Sequence, residues 1–305
     1  MLKIFHRTIK EPKLKELDRF KIGGLLYVEK PTEIEITLLA QTYNLDSDIL
    51  SDAFDPYEVP RLEVEGETIY IFNRLPIKKD KQIMTTPVLF VYHPNFLLII
   101  ANEGLPFLNK VTNNPNFYTT QKTKVLIQFL AEINYVYNRF LIDISREVRN
   151  ISANIEEISN RDISRFVHFE QVINDFLSSL IPANAVLTKL LSGRYFKLYE
   201  EDKDLIEDLY LSDNQLIELS RATLKTIVNI RDSYSTIMTN NLNRVIKLLA
   251  ALTVVLTIPT IIGSFYGMNV ALPFSDDPHA FGYILLIAFS GSILALVIFL
   301  KSKWL

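Results

Sequence analysis

The sequence predicts an α/β N-terminal domain, a long α-helical stalk and two C-terminal transmembrane helices. Three observations point there: short strand-like runs between turn signals in the first third, long stretches poor in Gly and Pro from Lys122 onward, and two uncharged apolar segments near the C-terminal end. A chain of 305 residues has room for a sizeable core. Its net charge of −3 supplies no basic field to neutralise a phosphate backbone, so nucleic acid is not an expected partner. The absence of Cys excludes disulfides, thiolate metal sites and a cysteine nucleophile. The opening MLKIFHRTIKEPKLKELDRF lacks the apolar core of a secretory signal, so the N-terminal bulk is expected in the cytoplasm.

The elements follow in order. Ile22 to Glu29 reads as a strand, and Pro31 opens a helix running to Thr42 because its missing N–H costs nothing in a first turn. Asn44 to Asp55 reads as a second helix. Its Asp46, Asp48 and Asp52 have calcium-loop spacing, but Ser51 stands where that loop needs Gly and Tyr57 where it needs Glu, so capped, solvated helix turns are expected. Arg61 to Glu65, Thr68 to Leu75, Thr86 to Tyr92 and Phe96 to Ala101 alternate or run apolar between turn signals and form a sheet. Lys78, Lys79 and Lys81 fall in the turn between two of these strands, a solvated turn. Long helices come next, from Thr123 to Ser159, from Ile163 to Ser192, and from Asp204 to Phe265. The third has an acidic start at Glu200, Glu201, Asp202 and Asp204, which suits a helix N-terminus, and would be a rod of roughly 90 Å. Its apolar stripe of Ile217, Leu224, Ile227 or Val228, Tyr234, Met238, Leu242, Val245 and Leu249 has the spacing of a helix packed against copies of itself.

That helix runs into a membrane. Leu248 to Ile262 carries no charge, and Phe281 to Leu300 supplies about 20 uncharged residues, roughly 30 Å of helix and one hydrocarbon thickness. Arg244 and Lys247 precede the first span, Lys301 and Lys303 follow the second, and the loop from Val270 to Ala280 holds Asp276 and Asp277 but no Lys or Arg. Both termini are therefore expected in the cytoplasm, with Trp304 at the inner interface. The resulting division is a cytoplasmic α/β domain over 1–120, a helical hairpin over 121–203 and a stalk over 204–245. A first span over 246–268, an outer loop over 269–280, a second span over 281–301 and a basic tail over 302–305 complete it.

One long helix entering a membrane beside one short partner makes a poor pore alone, and a ring of identical copies solves this by bringing the same side chain to the axis from every subunit. Thr253, Thr257, Thr260 and Ser264 recur at spacings that put four hydroxyls on one side of the first span, and Asn243, Ile246 and Leu249 extend that side inward. Hydroxyls also bond back to their own helix in lipid. Asn269 adds a second signal, since an amide carbonyl at a membrane mouth is an oxygen ligand for a hard cation or its water. The same Asn is also a residue that ends helices in left-handed geometry.

At these residues the sequence resembles the CorA family of divalent-cation channels, whose signature is Gly-Met-Asn at the outer end of the first of two C-terminal spans. Gly267, Met268 and Asn269 match in full, Tyr266 precedes them as is usual, and Pro259-Thr260 lies in the preceding helix. DAFDPYEVPR, from Asp52 to Arg61, is similar to the family's Asp-rich, Glu-x-x-Arg segment, and the chain closes on the basic end from Lys301 to Leu305. The resemblance implies a homopentameric funnel in the inner (plasma) membrane with Mg²⁺ as substrate and regulatory ligand, and Co²⁺ or Ni²⁺ as lesser substrates. It implies a selectivity filter of Gly267, Met268 and Asn269, a second polar ring at Thr260, a hydrophobic constriction at Ile246 and Leu249, and a polar ring at Asn243. Asp208 matches the stalk aspartate that binds regulatory Mg²⁺ between subunits, with Asp80 as candidate partner. Two departures stand out. Thr257 occupies a level where some members carry Met, and the outer loop has Leu272 to Asp277 in place of Met-Pro-Glu-Leu, which leaves Asp276 and Asp277 as cation-attracting or merely solvated acids.

The nearest competing reading is a ZntB-like transporter of zinc or another divalent ion. Full Gly-Met-Asn, no Cys and four scattered His residues speak for Mg²⁺. A membrane-anchored scaffold or signalling protein is the reading from another class, and the hydroxyl stripe with Asn269 argues against it. No nucleophile, base and orienting group stand at a recognisable spacing, so no catalytic residue is expected.

Overall fold

The computed structural model describes residues 2–80, 82–153, 158–270, 272–273, 277–302 and forms two compact units, one over the bulk of residues 1–228 and one over 229–305. Lys81, Asp276, Lys303 and Trp304 lie outside the described residues.

The first unit is built on a seven-stranded sheet. Its strands are β1 (Leu2–His6), β2 (Lys15–Leu17), β3 (Gly24–Glu29), β4 (Leu62–Glu65), β5 (Thr68–Lys79), β6 (Gln82–His93) and β7 (Phe96–Ala101), in spatial order β2-β1-β3-β7-β6-β5-β4. Among the described residues only β3 and β7 pair in parallel. These two central strands are apolar almost throughout, as strands covered on both faces must be. β5 and β6 are longer than their apolar cores. Lys78 and Lys79 are rungs of the ladder opposite Ile83 and Gln82, not turn residues, and Asp80 begins the turn at φ 48°. A two-residue hairpin needs positive φ, and a short polar side chain tolerates it.

Helices α1 (Glu33–Tyr43) and α2 (Ser47–Asp52) cover one face. Pro31 stands just before the cap: Thr32 Oγ1 accepts from the Glu35 N–H while Glu35 reaches back to the Thr32 N–H, a capping box. Asp46 caps α2 by accepting from the Asp48 and Ile49 N–H groups at 2.9 and 3.0 Å, the helix-turn role expected of that acidic stretch. Leu26, Val28, Ile36, Leu39, Leu50, Phe72, Leu89, Leu98 and Ile100 close this core layer. The DAFDPYEVPR segment is held by its own arginine: Arg61 pairs with Asp52 at 2.6 Å and with Glu58 and Glu63, and lies 4.2 Å over the Phe72 ring.

The other face carries α3 (Leu108–Thr112), α4 (Lys122–Ser152) and α5 (Asn160–Leu191). Phe129 of α4 meets Phe90, Phe107 and Phe117, while Tyr137 stands edge-on to Phe176 of α5 at 5.0 Å. Arg74 of β5 donates to the carbonyls of Pro56, Glu58 and Thr85 and to Thr85 Oγ1.

Helix α6 (Glu200–Tyr266) is continuous over 67 residues and starts four residues earlier than Asp204, because the acidic run forms its first turn. Within the first unit Ile206, Leu209, Leu216, Ile217 and Ile227 are buried, and hydroxyl and amide pairs tie the helix to α4. Ser145 pairs with Thr223 at 2.8 Å, Ser212 with Asn134 at 2.8 Å, and Asn134 donates to Asp213 at 3.1 Å. This corrects part of the sequence reading, since Ile217 and Ile227 pack within their own chain rather than onto copies.

Candidate functional site

The second unit contains the C-terminal part of α6 and α7 (Ala280–Lys301), which among the described residues are the two helices long and apolar enough to cross a membrane. Contact between them falls on one side of each. Ala251 is buried and Val255, Ile258, Pro259, Ile262 and Tyr266 are half-buried, at helical spacings of three and four; from α7 come Ala288, Gly291, Ser292 and Ala295. Small residues there let the backbones approach. A Cβ on Gly291 would stand 3.2 Å from Ile258 Cγ2, tighter than ordinary packing.

Counting about 100° per residue from Val255 puts Thr253, Thr257, Thr260 and Ser264 roughly 140–200° around the helix, on the face away from α7. All four are exposed in the single chain, as are Asn243, Ile246 and Leu249. The three threonine hydroxyls donate back to the carbonyls of Leu249, Thr253 and Leu256 at 2.8, 2.7 and 3.0 Å. A hydroxyl whose proton is committed to its own helix presents only oxygen lone pairs outward, the end a cation or the water around it needs.

At its C-terminal end α6 closes with the Gly267 N–H donating to the Gly263 carbonyl at 3.0 Å and the Met268 N–H to the Phe265 carbonyl at 3.2 Å. Neither Gly267 nor Asn269 has positive φ, so Asn269 is not the left-handed terminator its residue type allows. Tyr266 Oη instead fastens the helix end by donating to the Pro273 carbonyl at 3.2 Å. Among the described residues the exposed Asn269 amide has no hydrogen-bond partner, which leaves its carbonyl free. Asp277 serves the next helix, accepting from the His279 N–H at 2.8 Å.

The two carboxylate candidates stand apart. Asp208 is exposed on α6 between the buried Ile206 and Leu209, and Asp80 lies at the β5–β6 turn. Among the described residues no ion pair or hydrogen bond joins them, and no group of three metal-ligating side chains assembles within the chain. Sequence reasoning missed Asp213, which is buried against α4 with its carboxyl pushed up to about 7 by desolvation. It also missed Ser292, although Pro259 and the small-residue patch around Gly291 were visible signals.

The family pattern described as "CorA-like Mg2+ transporter protein" matches residues 26–301. The chain belongs to that family. The cobalt/magnesium transport protein CorA of Methanocaldococcus jannaschii is 24% identical over 312 residues, covering 98% of this chain and 96% of that protein. The complete structure of the CorA magnesium transporter from the same organism superimposes with a TM-score of 0.89 at 20% identity, over 100% of this chain and 99% of that one. The ZntB cytoplasmic domain from Vibrio parahaemolyticus matches with a TM-score of 0.65 at 7% identity, over 78% of this chain and 98% of that one, a likeness of fold alone. Membership in the CorA family makes the two apolar helices membrane spans and the chain a membrane protein.

Proposed function

We propose that this chain is one subunit of a homopentameric channel that carries Mg²⁺ inward across the inner (plasma) membrane, with both termini cytoplasmic. The observation that carries the reading is the uncovered face of the first span: polar oxygens from Thr253 to Ser264, turned away from α7 and exposed in the single chain, with the exposed Asn269 amide beyond the helix end. Cyclic assembly gives that face an axis to line.

Mg²⁺ sheds water reluctantly, so neutral oxygens that meet its hydration shell hold it without trapping it. A ring of Asn269 amides, shaped by Gly267 and Met268, supplies such oxygens at the outer mouth, and the threonine rings continue them inward. Ile246 and Leu249 form an apolar constriction that dewets when the helices close, with Asn243 beneath. An inside-negative potential of 100 mV contributes about 4.6 kcal/mol to the influx of a doubly charged ion, so no ATPase is needed. Cytoplasmic Mg²⁺ closes the pore by bridging Asp208 to a carboxylate of the neighbouring subunit, Asp80 being the candidate.

Proteoliposomes with a set potassium diffusion potential test the transport reading. Mg²⁺ influx that grows with inside-negative potential and exceeds Zn²⁺ influx is expected. Equal or greater Zn²⁺ flux favours the zinc-transporter reading, and no cation flux from a monomeric or dimeric species favours a scaffold.

A further inference from the structure

Proline at position 259 removes the N–H that would bond to the carbonyl of Val255, four residues back, and its ring pushes that carbonyl away from the helix. The Val255 carbonyl lies on the side of α6 that faces α7, and no threonine hydroxyl of its own helix reaches it, since those serve Leu249, Thr253 and Leu256. In lipid a carbonyl without a donor is costly, because no water is there to replace the lost bond. Ser292 Oγ of α7 lies 3.1 Å from the Val255 oxygen.

The same hydroxyl lies 3.1 Å from Ala288 O, and it has one proton to give. Position 292 is not proline, so the Ala288 carbonyl has a backbone donor in its own helix. The Val255 carbonyl lacks that donor, because position 259 is proline. The proton is therefore worth more on Val255, across the helix pair, than on Ala288, within it. Gly291 beside Ser292 permits the approach, since even a methyl group there would crowd Ile258.

We propose that Ser292 is a positioning residue for conduction: its hydroxyl replaces the backbone donor that Pro259 removes and so pins the pore helix to the second span at its weak point. Beyond that point α6 carries Thr260 and Ser264 and leads into the Gly267–Asn269 mouth, so the angle fixed at Val255 sets where the Asn269 ring stands. The inference rests on the channel reading above but has a signature of its own, coupling between Ser292 and Pro259. Alanine at position 259 restores the N–H, and Ser292 then has nothing to replace.

The experiment measures Mg²⁺ influx into proteoliposomes against external Mg²⁺ for the full chain, Ser292→Ala, Ser292→Thr, Pro259→Ala and the double variant. Ser292→Ala is expected to raise the half-saturating Mg²⁺ by about 3-fold to 20-fold, the range that interhelical hydroxyl bonds span in membranes. Ser292→Thr retains the donor and stays near the parent chain. Ser292→Ala added to Pro259→Ala leaves the half-saturating value of the single Pro259→Ala variant unchanged. An equal shift in both backgrounds, or none in the proline-containing chain, overturns the proposal. If Ser292→Ala does not assemble, recovery of the folded oligomer by adding Pro259→Ala supports the coupling and failure to recover overturns it. A parent chain that carries no Mg²⁺ defeats the transport reading instead. The coupling is then read from thermal unfolding midpoints of the same set, where additive effects overturn it and non-additive effects support it.

Discussion

Replacing Asp213 by Asn isolates a buried charge in the packing of α6 on α4. The carboxyl is 4% exposed, its Oδ1 accepts from Asn134 at 3.1 Å, and its Oδ2 has no hydrogen-bond partner among the described residues. Burial raises its pKa from 3.8 to about 7. Between those values the folded chain holds a proton that the unfolded chain has released. Stability is therefore highest below the unfolded value, falls as pH rises toward 7, and is level above it. Each pH unit of that interval is worth about 1.4 kcal/mol, so the whole window amounts to about 4 kcal/mol, of which roughly 3 lies between pH 5 and 8. The amide of the Asp213→Asn variant cannot ionise, keeps the side chain's volume and retains an oxygen for Asn134. Thermal unfolding of detergent-solubilised parent and Asp213→Asn chains, followed by circular dichroism from pH 5 to 9, should show the variant gaining on the parent by about 3 kcal/mol across pH 5 to 8. Parallel pH profiles for the two chains would refute the reasoning.

Two further outcomes are expected. Arg74→Met removes a buried guanidinium that donates to the Pro56, Glu58 and Thr85 carbonyls and strands those acceptors, so unfolding measurements on the purified chain should register a loss of about 3 kcal/mol; a loss below about 1 kcal/mol would mean that water replaces those bonds freely. Asp208→Ala should leave Mg²⁺ influx active at internal Mg²⁺ concentrations that close the parent channel, and an unchanged closure curve removes Asp208 from the sensor.

What was legible in the sequence followed from how local each signal is. The strands from Thr68 to Ala101, the helix announced by Pro31, the capped turns at Asp46 and both apolar spans announce themselves by periodicity, local residue chemistry or lack of charge, although the first helix is capped by Thr32 and Pro31 stands outside it. β1 did not, because Leu2–His6 alternates over only five residues and its burial of Ile4 and Phe5 depends on the neighbouring β3. β2 is the three-residue edge segment Lys15–Leu17, with no apolar period to read. At the site, the spacing of Thr253, Thr257, Thr260 and Ser264 already implied one face, but only the placement of α7 shows which face stays uncovered. Asp213 looks in sequence like any stalk acid, and its burial arises from α4, some 80 residues earlier. Likewise Pro259 signals a missing donor, while the identity of the replacement depends on the register of α7, which no local pattern encodes.

The most direct test of the central claim compares potential-driven Mg²⁺ influx in proteoliposomes bearing the parent chain with influx in those bearing Asn269→Ala, each checked for intact oligomer. If a ring of Asn269 amides receives the hydrated ion, the parent should show saturable influx that rises with inside-negative potential, and the variant should lose most of it without losing assembly. Undiminished Mg²⁺ influx through an assembled Asn269→Ala channel would contradict the claim and take the outer mouth out of the conduction path.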